Sequence, residues 1–164
     1  MAATAIVTLV TVCACSSAGQ SAAGANPPRG KNADELSCTG TLTRGPLPTW
    51  AQGGFTPPDQ PVYQVRGVDG SILGVVFEGP SVDPSAKGHA KKILWVSSPL
   101  SESAPSPTDP DLKIHATLNG SDVAIDRVIS GGPGPSIVDV PAAGCWTVIL
   151  KWSGRTDRLA LSFR

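Results

Sequence analysis

Neither sign of charge is in surplus. Thirteen Lys and Arg face thirteen Asp and Glu in 164 residues, and the formal net charge is zero. A sequence-independent grip on nucleic acid needs surplus cations to neutralise phosphates, so no nucleic-acid partner is expected. Histidine is scarce, with only His89 and His115. No run of ten or more residues has the apolar spacing of an amphipathic helix. No Gly-x-Ser-x-Gly elbow occurs; Gly134-Pro135-Ser136 is stiffened by proline and lacks a strand-to-helix context. The Gly131–Gly134 run lacks the Lys and Ser/Thr of a phosphate loop.

Glycine and proline are plentiful, at 18 and 16 residues. They fall between apolar runs, where they read as turns of an all-β protein. Strands are expected at Pro61–Val65, Ser71–Glu78, Lys92–Ser97, Leu112–Leu118, Asp122–Ile129, Ser136–Val140, Cys145–Trp152 and Asp157–Phe163. Ser71–Glu78 is apolar on both faces, as in a central strand, and Gly74 marks a bulge or close approach. In Leu112–Leu118, Leu112, Ile114, Ala116 and Leu118 alternate inward while Lys113, His115 and Thr117 face out. Asn119-Gly120 predicts a hairpin. The fold expected is an immunoglobulin-like antiparallel β-sandwich of seven to eight strands over residues 36–164.

Pro141 to Trp152 carries the strongest pattern. Trp146, Val148, Leu150 and Trp152 share one face, and Cys145 lies on the other. Gly144-Cys145-Trp146 reads as a corner where Trp146 plugs one end of the sandwich. Thr39–Pro58, with Trp50 and Phe55, is expected to be irregular and to cross one end of the domain.

The N-terminus reads as an export signal. Ala2–Ala14 is apolar and uncharged, too short for a membrane-spanning helix but suited to a signal peptide. Val12-Cys13-Ala14-Cys15 resembles a bacterial lipobox, with Cys15 as the lipidated cysteine and Cys13 a poorer fit. The alternative is plain secretion with cleavage after Ala23-Gly24-Ala25. On the first reading, residues 1–14 are the signal and 15–35 the lipidated terminus and tether. Ser16–Asn32 is small and polar, and cannot bury enough surface to offset its conformational entropy.

Cys38 and Cys145 then remain as one pair in an oxidising compartment, where a disulfide is expected. The bridge would pin the N-terminal segment to the mouth of the strand at Cys145, with two buried free thiols as the alternative. The two cysteines lack partners at ligand spacing and make a poor zinc site.

Val75-Val76-Phe77, Lys92-Ile93-Leu94-Trp95-Val96, Gly134-Pro135-Ser136-Ile137-Val138-Asp139-Val140-Pro141 and Gly144-Cys145-Trp146-Thr147 together resemble small actinobacterial lipoproteins of unknown function. The resemblance covers residues 50–163 and implies a single immunoglobulin-like domain outside the cell. It implies no catalytic or ligand motif. Pro141-x-x-Gly144-Cys145-Trp146 is also similar to the Pro-x-x-Gly-x-Tyr start of the penultimate strand in bacterial immunoglobulin-like modules, with Trp146 in place of Tyr.

Chemistry has few candidates. Glu78, Asp83, Asp122, Asp126 and Asp139 are scattered acids, where paired-carboxylate catalysis needs two together. Thr108-Asp109-Pro110-Asp111 is a turn with few oxygen ligands for calcium. Lys87-Gly88-His89-Ala90-Lys91-Lys92 reads as a solvated basic loop, or as a contact for anionic lipid or wall polymer. The expected function is a non-enzymatic, lipid-anchored module of the cell envelope on the extracytoplasmic side, without cofactor or metal. Its partners would be the membrane through the anchor and an envelope protein or polymer. The alternative is a secreted or anchored carrier with Trp50, Phe55 and Trp95 lining a pocket.

Overall fold

A computed structural model describes residues 34–39, 41–79, 90–100 and 109–164. Its strands are β1 (Leu42–Gly45), β2 (Val62–Arg66), β3 (Ile72–Val76), β4 (Ala90–Ser97), β5 (Leu112–Leu118), β6 (Ala124–Ile129), β7 (Pro135–Asp139), β8 (Gly144–Trp152) and β9 (Arg155–Phe163). They form two antiparallel sheets. Sheet A has the order β1-β2-β3-β4-β7, and sheet B has β6-β5-β8-β9. The chain changes sheets between β4 and β5, β6 and β7, and β7 and β8. Strands β3 to β9 thus have the immunoglobulin-like arrangement A-B-E over C′-C-F-G.

Alternation places the core. Ile72, Val76, Ile93 and Trp95 from sheet A meet Ile114, Trp146, Val148, Leu150, Leu159 and Leu161 from sheet B. Gly74 makes room for this layer. A Cβ there would lie 3.0 Å from the Trp95 ring and 3.2 Å from Ile93. The Trp95 indole N–H donates to Ser136 Oγ at 2.9 Å, so the buried ring keeps its hydrogen bond.

Strand β3 is buried on both faces, as its sequence predicts. Its outward Leu73 and Val75 form a second cluster with Leu47 and Ala51, flanked by Trp50 and Phe55. Burying each such aliphatic side chain stabilises by roughly 1.5–3 kcal/mol. The approach segment therefore covers the outer face of sheet A, where exposed apolar side chains need a lid, and does not cross one end. Nor is it wholly irregular. Leu42–Gly45 pairs with β2, and Thr49–Ala51 makes one 3-10 turn. A four-residue edge strand has too little alternation to be read locally, so its register comes from β2. The buried Gln64 ties this lid down by donating to the carbonyls of Gly45 and Pro46.

The Asn119-Gly120 turn closes the expected hairpin between β5 and β6, through a wider loop. Leu118 N–H bonds Val123 O, giving a four-residue loop, and β6 starts at Ala124. The tight two-residue hairpin is instead Ser153-Gly154. Both residues have positive φ, and Trp152 pairs with Arg155.

A buried acid joins the sheets. Asp157 is fully enclosed on β9 and accepts the N–H groups of Asp69, Ser71 and Arg158 and the Ser71 hydroxyl. Burial alone would raise its pKa; the hydrogen bonds from Asp69, Ser71 and Arg158 outweigh that and hold it below the usual carboxylate range.

Candidate functional site

The residues singled out around Cys145 meet at one corner of sheet B. Gly144 opens β8 at φ 139°, and a Cβ there would lie 2.6 Å from Leu118 Cδ1. Glycine is required on both counts. The next two side chains diverge. Trp146 enters the core, and its indole N–H donates to Ala142 O at 3.1 Å. This reproduces with an indole the corner hydrogen bond that a tyrosine makes in immunoglobulin domains. Cys145 faces outward and is disulfide-bonded to Cys38, with Cα atoms 5.7 Å apart.

The bridge holds a strap, residues 34–39, over the outer face of sheet B. Thr147 Oγ1 accepts the Leu36 N–H at 2.9 Å, and Asn119 Nδ2 donates to the Leu36 carbonyl at 2.8 Å. Thr147 Oγ1 in turn donates to Asn119 Oδ1 at 2.8 Å. Gly120 N–H donates to a Glu35 carboxylate oxygen at 2.8 Å. Asp34 lies 3.9 Å from Arg158. Contacts with the sandwich are thus made from Asp34 onward among the described residues. The strap bonds Thr147, which is buried although it faces outward.

A groove of about 700 Å³ runs beside the strap, from Glu35 past the disulfide to Ser162 and Arg164. Both sulfurs are oxidised and the Asn119 and Thr147 side chains are committed to the strap. The groove has polar walls for binding but no paired nucleophile and base.

The same face carries a second arrangement. His115 Nδ1 is 2.8 Å from Asp126 Oδ1, and Thr117 Oγ1 is 3.4 Å from His115 Nε2. Hydroxyl, imidazole and carboxylate follow one another in the order of a nucleophilic triad. The surroundings differ from a triad's. The Asp126 side chain is 79% exposed and that of His115 48%. Strand β5 is paired on both sides, so its amides are committed to ladders and offer no oxyanion donors at Thr117.

The remaining candidates are dispersed. Glu78 is exposed, Asp139 lies 3.6 Å from Arg127, and Asp111 accepts the Gly131 N–H. Asp109 is bonded to Lys113, which holds its carboxyl below the ordinary range. No group of three or more metal-ligating side chains occurs among the described residues. Trp50 and Phe55 lie on the outer face of sheet A and Trp95 on the inner face, so these three aromatics do not line one pocket. Strand β4 begins at Ala90, so Lys91 joins Lys92 in the strand, and alternation sends the two to opposite faces. Lys91 is buried, while Lys92 is exposed and lies 5.1 Å from the Phe77 ring. Cys15, Asp83, Lys87, His89 and Thr108 lie outside the described residues.

Sequence reasoning missed three structural side chains at these junctions. Asp157 has a legible signal, since it shares the apolar parity of Leu159, Leu161 and Phe163. Asn119 and Thr147 have none, because their partner is Leu36, 83 and 111 residues away. No protein family, curated protein or solved structure matches the chain.

Proposed function

We infer that this chain is an exported, non-enzymatic immunoglobulin-like module of a cell envelope, held on the extracytoplasmic side by a lipid on Cys15. One observation carries the reading. The segment that follows the expected tether is joined by a disulfide to β8, an interior strand of sheet B. A disulfide belongs to an oxidising compartment. Its position is where a domain anchored at its N-terminus needs a firm junction. The resemblance of Gly144-Cys145-Trp146-Thr147 and the other quoted segments to small actinobacterial lipoproteins points the same way, as does the lipobox-like Val12-Cys13-Ala14-Cys15. The partner in this reading is the membrane, with an envelope protein or polymer bound at the domain surface.

Detergent-phase partition with acyl labelling tests the anchor. Wild-type protein is expected in the detergent phase, labelled, and Cys15→Ala in the aqueous phase, unlabelled. Retention and labelling of Cys15→Ala would overturn the anchor.

A further inference from the structure

The loop between β5 and β6 holds the only Asn-Gly pair in the sequence, Asn119-Gly120. Such a pair is chemically labile. Glycine has no Cβ to shield its amide nitrogen, so that nitrogen can attack the carboxamide of the asparagine before it. Whether it does so depends on how the reacting atoms are held.

In the folded chain they are bonded to the strap or to the residues that fasten it. Asn119 Nδ2 donates to Leu36 O at 2.8 Å and to Cys145 Sγ at 3.3 Å. Asn119 Oδ1 accepts the Thr147 hydroxyl at 2.8 Å, and Thr147 Oγ1 accepts the Leu36 N–H. The attacking atom, Gly120 N, donates its hydrogen to Glu35 Oε1 at 2.8 Å. Attack makes Asn119 Cγ tetrahedral, which moves Nδ2 and Oδ1 out of the plane in which they meet these partners. The Gly120 amide must also lose its proton, and the Glu35 carboxylate opposes the resulting anion as a like charge.

We propose that the strap guards Asn119 against succinimide formation, and that opening of the strap makes residue 119 a one-way modification site. In the open state Gly120 N gives its proton to solvent base and bonds to Asn119 Cγ. The Cγ–Nδ2 bond breaks and ammonia leaves. Water then adds to either carbonyl of the cyclic imide, giving aspartate or isoaspartate. Water is the sole co-reactant. The groove beside the strap reaches Asn119 and Gly120, so water enters and ammonia departs there. The product has no Nδ2 donor for the Leu36 carbonyl and adds a carboxylate near that of Glu35. The strap then cannot seat as before, and residue 119 records that it has opened. The Cys15 anchor plays no part in this chemistry.

The test incubates the full chain in mildly alkaline buffer, native and urea-unfolded. Conversion at residue 119 is followed by peptide mapping with mass spectrometry, which separates acid from amide. The native chain is expected to convert at least about tenfold more slowly than the unfolded one, because reaction waits on local opening. Glu35→Ala, which keeps the disulfide, should convert faster than wild type, and Cys38→Ser with Cys145→Ser faster still. Asn119→Asp, which mimics one product, should speed hydrogen exchange at the Leu36 amide. Native circular dichroism establishes that each variant is folded. Equal rates in the native and unfolded chains overturn the proposal, as do wild-type rates in both the Glu35 and the cysteine variants. Faster conversion in the native chain also overturns it, and would make Glu35 and Thr147 an accelerating pair. Wild-type exchange at Leu36 in Asn119→Asp overturns the one-way step.

Discussion

Asp157 occupies the space that a side chain on residue 67 would need. A Cβ on Gly67 would lie 2.1 Å from Asp157 Oδ2 and 2.3 Å from its Cγ. The hairpin between β2 and β3 can close over the carboxylate only because that position is glycine. The pair fastens β9 to sheet A through the Asp69 and Ser71 amides.

Two substitutions test this fastening. Gly67→Ala pushes a methyl group into the carboxylate, and Asp157→Asn turns an amide NH2 toward backbone donors. Each is expected to cost about 2–4 kcal/mol in urea unfolding, since a buried polar cluster is left strained or unsatisfied.

Acid sensitivity follows from the same residue. The folded-state pKa of Asp157 is lowered, so its contribution is present above the ordinary carboxylate pKa. That contribution is lost as pH falls through the lower folded-state value. Wild type should lose stability over this range, and Asp157→Asn should show a shallower slope in pH-dependent unfolding.

Removing the disulfide should weaken the fold and free the strap. Cys38→Ser with Cys145→Ser is expected to lose up to about 4–5 kcal/mol, because the bridge closes a loop of roughly a hundred residues. Hydrogen exchange should accelerate at the Leu36 amide, which donates to Thr147 in the intact protein. Exchange unchanged at Leu36 would mean that the Asn119 and Thr147 hydrogen bonds hold the strap unaided.

Trp146 should resist replacement by an aromatic that lacks its donor. Trp146→Phe removes the hydrogen bond to Ala142 and leaves a void, for an expected loss of about 2–4 kcal/mol by thermal or urea unfolding. Ser136→Ala tests the other buried indole. It deprives Trp95 Nε1 of its acceptor, with an expected loss of about 1–3 kcal/mol.

Much of the sandwich was legible because it depends on period-two patterning. Leu112 to Leu118 alternates between core and solvent as expected, and the apolar faces of β8 and β9 meet in the core. The corner was legible too, since Gly144, Cys145 and Trp146 carry backbone, crosslink and plug in consecutive positions. What escaped depends on distant partners. Strand β1 exists through its pairing with β2, and the approach segment is placed by Leu73 and Val75 on the outer face of β3. The His115–Asp126 pair required the exact register of β5 on β6, which the wider Asn119–Asp122 loop sets. The strap required knowing which face of β8 its crosslink would reach.

The disulfide also determines where mechanical load enters. Tension applied ahead of Asp34 first strains the Leu36 hydrogen bonds, then reaches Cys38 and crosses to Cys145, bypassing the intervening chain. It arrives at β8, which is zipped to β5 on one side and β9 on the other. Edge strand β1, which a pull through the uncrosslinked chain would peel first, carries none of it. A pull on the N-terminal side of Asp34 would thus reach an interior strand and meet two ladders at once.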